Sequence, residues 1–171
     1  MSFPLIVYYG SGKGKSTSAL GCALRAVGQS MPVLLVQFIK KPQVSGEQRI
    51  IADIGIDFHC AGKGFVYESM SKDQKALHEQ SALEGIRFSE EYLAQHDPGL
   101  VIFDELLHAY EVFPLLREQM LQLLAQATET CPTIVTGKDI PHEIGDIATY
   151  IYRLDDEKEP QDMLCIKGFH Y

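Results

Sequence analysis

Eight residues near the start of the chain, Gly10-Ser11-Gly12-Lys13-Gly14-Lys15-Ser16-Thr17, have the composition of a polyphosphate cradle. Glycines let a backbone turn with its N–H groups pointing inward, and a helix opening behind them adds positive potential. Lys15 supplies a point charge, and the Ser16 hydroxyl can ligate Mg²⁺. The general P-loop pattern carries glycine where this chain has Tyr9, so the match lies in context as much as in letters. The competing reading is a glycine-rich turn that only joins a strand to a helix. A second signal weighs against it: Leu100-Val101-Ile102-Phe103-Asp104-Glu105 is an apolar run ending in two carboxylates, the form of a Walker B strand whose acids reach a metal or its waters. Such a run is common at the end of any buried strand and gains meaning from the phosphate loop upstream. Together they point to nucleotide chemistry, and they leave open a kinase, a hydrolase, an alkyl transferase or a non-catalytic binder.

These groups need elements to hold them. Leu5–Tyr9 reads as a strand and residues 15–28 as a helix, with Leu20, Ala23, Leu24 and Val27 on its apolar face and Gly28 as its stop. Residues 32–38, apolar on both faces, suit a strand of a parallel sheet covered on both sides. Residues 54–59 form a third candidate strand, 72–95 a long helix, and 100–103 the strand before the acids. Next comes a helix with Phe113, Leu116, Met120, Leu124 and Ala127 on one face and Pro114 in its first turn. Residues 133–136 and 149–154 are further strands around a short helix at 141–148, and 163–171 could add an edge strand. The alternation predicts one α/β domain over residues 1–171, a three-layer P-loop NTPase fold of the RecA-like kind, its mostly parallel sheet covered by helices on both faces.

Composition narrows the class further. A chain of 171 residues can bury a core without disulfides or metal. Its net charge of −8 disfavours a nucleic-acid partner. Residues 1–46 hold Lys13, Lys15, Arg25, Lys40 and Lys41 and no acidic residue, so positive charge gathers around the loop. Cys22, Cys60, Cys131 and Cys165 lack the spacing of zinc ligands or a redox dithiol and read as reduced thiols; the six histidines show no metal spacing, and His108 is of interest because it follows the acidic pair. No apolar run nears the roughly 20 residues of a membrane span, and no targeting segment is evident, so the expected location is cytoplasmic.

The ordered blocks resemble a known family, the P-loop ATP:corrinoid adenosyltransferases. They are residues 8–17, Ala23-Leu24-Arg25-Ala26-Val27-Gly28, Val36-Gln37-Phe38-Ile39-Lys40, Gly46-Glu47, Gly62-Lys63-Gly64-Phe65-Val66-Tyr67, Phe103-Asp104-Glu105 and Val135-Thr136-Gly137-Lys138. The resemblance implies transfer of the 5′-deoxyadenosyl group of MgATP to the Co(I) of a reduced corrinoid, cobalamin or a precursor, with release of triphosphate. It places residues 10–17 and Arg25 around ATP, bound in the reverse of the usual direction. Lys15 and Glu105 would serve the reaction, and Ser16 and Glu105, with Asp104 behind them, would hold Mg²⁺. Phe65 and Tyr67 would lie under the corrin ring, displacing its lower axial ligand and easing reduction of the cobalt. Tyr67 stands where the family has Trp, Tyr9 and Ser16 where it has Thr, and Lys138 where Arg is frequent. The family's longer members also carry an N-terminal extension over the active site, of which this chain has little. A homodimer and a reductase or flavoprotein electron donor complete the expectations.

Overall fold

In a computed structural model, which describes residues 2–43, 45–67, 69–158 and 166–168, six parallel strands form one sheet in the order β3-β2-β4-β5-β1-β6. The strands are β1 (Leu5–Tyr9), β2 (Val33–Gln37), β3 (Ile56–Cys60), β4 (Leu100–Asp104), β5 (Thr133–Thr136) and β6 (Tyr150–Arg153). The helices are α1 (Lys15–Gly28), α2 (Lys72–Gln95), α3 (Leu106–Val112), α4 (Arg117–Thr130) and α5 (His142–Ile147). The sheet is the expected one and wholly parallel among the described residues. β5 lies between the phosphate-loop strand β1 and the acidic strand β4, pairing Ile6 with Ile134 and Ile102 with Ile134.

Two cores follow from the period of two along each strand. Leu5, Val7, Leu34, Val36, Val101 and Phe103 face α2, α3 and α4. Val33, Leu35, Leu100 and Ile102 face α1, whose buried residues are Ala19, Ala23 and Ala26. The buried stripe of α1 is thus centred on alanines, which lets the helix lie close to the sheet. Leu24, expected on the apolar face, is 55% exposed, because the apolar letters of α1 cover more of the helix than a single sheet contact can bury.

One helix was not expected. The residues after Asp104 open α3 at once, and the long helix that follows begins at Arg117 rather than near Phe113. Phe113 sits outside helical geometry (φ −120°, ψ 73°), as the residue before a proline tends to, and Pro114 starts a single 3-10 turn, Pro114–Leu116. Phe113, Leu116, Met120, Leu124 and Ala127 are nonetheless all buried. Of the possible edge strand at 163–171 only residues 166–168 are described, and they form no strand. Cys165 lies outside the described residues, and Cys22, Cys60 and Cys131 are free thiols. No described helix is long and apolar enough to cross a membrane.

The long helix α2 is fixed at both ends. Ser71 and Gln74 form a reciprocal capping box at its start. Near its end the Tyr92 hydroxyl donates to Asp57 on β3. Between them Gly85 lets the helix meet the chain leaving β3: a Cβ there would stand 2.4 Å from the Ala61 Cβ. Gly85→Ala should therefore cost about 1–3 kcal/mol, as overpacking does, read as a lower urea midpoint at unchanged slope. A midpoint equal to or above wild type would show that this contact is not tight.

Candidate nucleotide site

The phosphate loop leaves β1 at Tyr9 and enters α1 at Lys15. Gly14 precedes the helix with φ 98°, a conformation that side-chain-bearing residues rarely adopt, and it contributes no side-chain cap. The first turn of α1 holds no acid, so its amide dipoles face the loop without an internal anion. Lys15 folds back across the loop, its Nζ donating to the carbonyls of Gly10 (2.8 Å) and Gly12 (2.6 Å). The chain after β6 leans on the other side: Gly12 N–H donates to Leu154 O (2.8 Å), and the Asp155 carboxylate accepts from the Ser11 hydroxyl (3.3 Å) while pairing with Arg153 (2.6 Å). Thr17 is exposed on the first turn of α1. Arg25 lies in its last turn, ten residues beyond Lys15 and so about 15 Å along the axis, and the fold does not bring it to the loop.

Asp104, at the carboxyl end of β4, is the centre of the site. It is 1% exposed, yet both its oxygens are fully engaged. Oδ1 accepts from Ser16 Oγ (2.7 Å) and Thr136 Oγ1 (2.7 Å); Oδ2 accepts from Gln37 Nε2 (3.0 Å) and pairs with Lys40 Nζ (3.0 Å). Burial alone would raise its pKa, but the Lys40 charge and the hydrogen bonds from Thr136, Ser16 and Lys40 outweigh it and hold the carboxyl below its usual range. Lys40 answers in kind: burial opposes its charge, and Asp104 and Glu47 overcome that, so its pKa is raised. The ammonium also donates to Ser16 Oγ (3.1 Å) and Glu47 (3.2 Å).

Glu105 has the opposite character. Its backbone is left-handed (φ 61°) at the start of α3, held there by a bond from its N–H to Thr136 Oγ1 (2.9 Å). Burial, followed by the charge of Asp104, raises its pKa against the pull of Lys40 and Lys15. Among the described residues no hydrogen bond or ion pair of the Glu105 carboxylate is found. A carboxylate in such surroundings is matched by an added cation, and a hydroxyl with one carboxylate is a donor set that suits Mg²⁺ when phosphates and waters supply the rest. Among the described residues no cluster of three His, Cys, Asp or Glu side chains could hold a metal unaided.

The third part is the loop after β3. Gly62 lies against the backbone of Ile39 and Lys40 so closely that a Cβ would stand 2.3 Å from the Lys40 carbonyl oxygen. Beyond it Phe65 and Tyr67 are 57% and 59% exposed, so neither is an aromatic anchor of the core. The Phe65 ring meets His108 on α3 edge-on at 6.2 Å, one helical turn from Glu105. The arrangement thus brings Lys15, Ser16, Asp104, Glu105 and Phe65 to one end of the sheet. It adds Gln37, Lys40, Glu47 and Thr136, to which no role had been given. Their signals were present in the sequence: Lys40 belongs to the basic cluster of residues 1–46, and all four lie in the ordered blocks.

Replacing the central carboxylate tests this electrostatic reading. Asp104→Asn leaves Lys40 partly buried without its main counter-charge and should cost about 3–5 kcal/mol by chemical denaturation. With a native pKa below its unfolded value, Asp104 contributes stability that is complete above about pH 4 and is lost as the pH falls towards the native value. The wild-type stability should therefore decline more steeply than that of Asp104→Asn below about pH 4. Parallel acid limbs would contradict the assignment.

Comparison with known proteins gives a likeness of fold and a family. A KaiC-like protein from the hyperthermophilic archaeon Pyrococcus horikoshii OT3 superposes with a TM-score of 0.53 at 15% identity, over 93% of this chain and 75% of that one, a likeness of fold. The Corrinoid adenosyltransferase of Escherichia coli K12 is 31% identical over 160 residues, which is 92% of this chain and 79% of the relative. Corrinoid adenosyltransferase CobA of Salmonella typhimurium LT2 shows the same identity and coverage. The Corrinoid adenosyltransferase of Pseudomonas aeruginosa PAO1 is 32% identical over 136 residues, 78% of this chain and 66% of the relative. Residues 4–171 match the family described as ATP:corrinoid adenosyltransferase BtuR/CobO/CobP, and the chain belongs to that family.

Proposed function

We propose that this protein transfers the 5′-deoxyadenosyl group of ATP to the Co(I) of a reduced corrinoid and releases triphosphate. The observation that carries the reading is the convergence of three unlike parts at one sheet end: an anion-binding loop, a carboxylate suited to a cation, and an exposed aromatic pair whose Phe65 ring meets His108, one helical turn after the residue that bears that carboxylate. A phosphate site alone would have no use for the third.

In this reaction Co(I) supplies the electron pair for a new bond to ribose C5′. The C5′–O bond breaks, and its electrons leave on triphosphate. No proton is abstracted, so no general base is needed. The chain's task is to stabilise the negative charge growing on the leaving group. Lys13, Lys15, the loop amides and the start of α1 do this, with Lys15 exchanging the Gly10 and Gly12 carbonyls for phosphate oxygens. Ser16 and Glu105 would hold Mg²⁺, which when bound neutralises phosphate charge; Asp104 orients Ser16 from behind. Phe65 and Tyr67 offer flat apolar surface to the corrin, keeping a lower axial ligand and water off the cobalt. The same reading includes an external reductant, a homodimer and a cytoplasmic location.

Incubation with ATP, Mg²⁺ and a chemically reduced corrinoid should yield triphosphate and a light-sensitive adenosyl-cobalt bond in equal amounts; ADP and phosphate in their place would overturn the reading. Lys15→Ala should lower kcat/KM by about 10²–10³-fold, the scale of a lost transition-state donor. Phe65→Ala with Tyr67→Ala should bind ATP as wild type does and lose more activity when the reaction starts from Co(II) than from Co(I). Equal losses from the two oxidation states would remove the aromatic pair from the reduction step.

A further inference from the structure

The Lys40 ammonium is seated among three oxygens: Asp104 Oδ2 at 3.0 Å, Ser16 Oγ at 3.1 Å and Glu47 Oε1 at 3.2 Å. The first is an ion pair, and the other two are hydrogen bonds that the ammonium donates. Its side chain keeps only 25% of its exposure, so the contacts replace most of a hydration shell that lysine holds strongly. Ser16 Oγ is equally committed, since it donates its proton to Asp104 and turns its acceptor side to Lys40. The hydroxyl proposed to receive a metal thus already has a cation on it.

We propose that Lys40 is the resident cation of the nucleotide-free site, holding Ser16 and Asp104 in metal-ready positions and keeping a divalent ion out until a polyphosphate brings one in. The proposal rests on the reading that Ser16 and Glu105 face the metal of the bound nucleotide. A divalent ion ligated by Ser16 Oγ would lie within a few ångströms of the Lys40 ammonium, and the two cations would repel strongly in this poorly solvated place. Mg²⁺ gives up its waters reluctantly, and one hydroxyl with one carboxylate cannot compensate it for entering beside an ammonium. Phosphate oxygens can. Lys40 then releases Ser16 and keeps Glu47, whose side chain is 24% exposed and which lies on the short helical turn Glu47–Arg49. Lys40 is therefore a positioning residue that sets the order of binding, metal with nucleotide and not before it. The close approach of Gly62 to the Lys40 backbone ties this residue to the loop bearing Phe65 as well.

The test uses Mn²⁺ as the probe on nucleotide-free protein, followed by its electron paramagnetic resonance signal. Lys40→Ala should bind Mn²⁺ at least tenfold more tightly than wild type, and the charge-preserving Lys40→Arg should bind as weakly as wild type. Equal affinity of wild type and Lys40→Ala, or tight binding by Lys40→Arg, would overturn the proposal. Should Lys40→Ala fail to fold, the wild-type protein decides: the ¹⁵N resonance of the Lys40 ammonium should stay in place with millimolar Mg²⁺ alone and move with MgATP. Movement with Mg²⁺ alone, or none with MgATP, would refute the idea. Neither measurement needs a corrinoid or turnover. A failure of the transferase reading would leave these results standing, and a failure of Lys40 in this role would leave the transfer reaction intact.

Discussion

A charged carboxylate with almost no access to water is the constraint around which this protein is arranged. Asp104 would be costly to bury alone, because removing an ion from water carries a penalty that only good geometry repays. Here four side chains from four segments repay it: Gln37 from β2, Lys40 just beyond β2, Thr136 from β5 and Ser16 from α1. Each partner is useful elsewhere. Ser16 belongs to the phosphate loop, Thr136 clamps the backbone of Glu105, and the backbone of Lys40 supports the aromatic loop through Gly62. The carboxylate fixes the Ser16 side of the site from within the core.

The strand order makes this possible. Because β5 separates β1 from β4, the strands that lead to the phosphate loop and to the acidic pair are not direct neighbours in the sheet. Thr136, at the end of the intervening strand, bonds both the Asp104 carboxylate and the Glu105 backbone. α1 presses on one face through small residues, while α2, α3 and α4 cover the other. The close contact of α2 with Ala61 carries rigidity into the chain leading to Phe65 and Tyr67. Packed elements thus hold the phosphate side, and the loop beyond Ala61 leaves the rings of Phe65 and Tyr67 exposed.

Much of this could be read from residue order. The limits of β1, α1, α2 and β5 are those read from the sequence, because glycine stops, helix-forming runs and short strand-like runs are local signals. The phosphate loop and the acidic pair announce themselves because their chemistry depends on adjacent residues. α3 was missed because it has only seven residues, and its two polar positions, His108 and Glu111, are too few to establish a helical period. Leu24 was misplaced because periodicity finds an apolar stripe but not which edge of it meets the sheet. The parts of Lys40, Gln37 and Thr136 depend on contacts across 32 to 88 residues of chain, as the bonds from Thr136, Gln37 and Ser16 to Asp104 illustrate. No spacing rule encodes contacts of that range. Arg25 shows the converse: near the loop in sequence, it is carried about 15 Å away along the axis of α1.

The central claim is that Asp104 stays ionised in the core and so can organise its neighbours. Its side-chain carboxyl can be followed directly by ¹³C NMR as a function of pH in nucleotide-free protein. The account predicts one unchanging, ionised chemical shift from neutral pH down to below the usual range of aspartate, for as long as the protein remains folded. A resonance that already reports the protonated acid near neutral pH, or that titrates above the ordinary aspartate value, would contradict it.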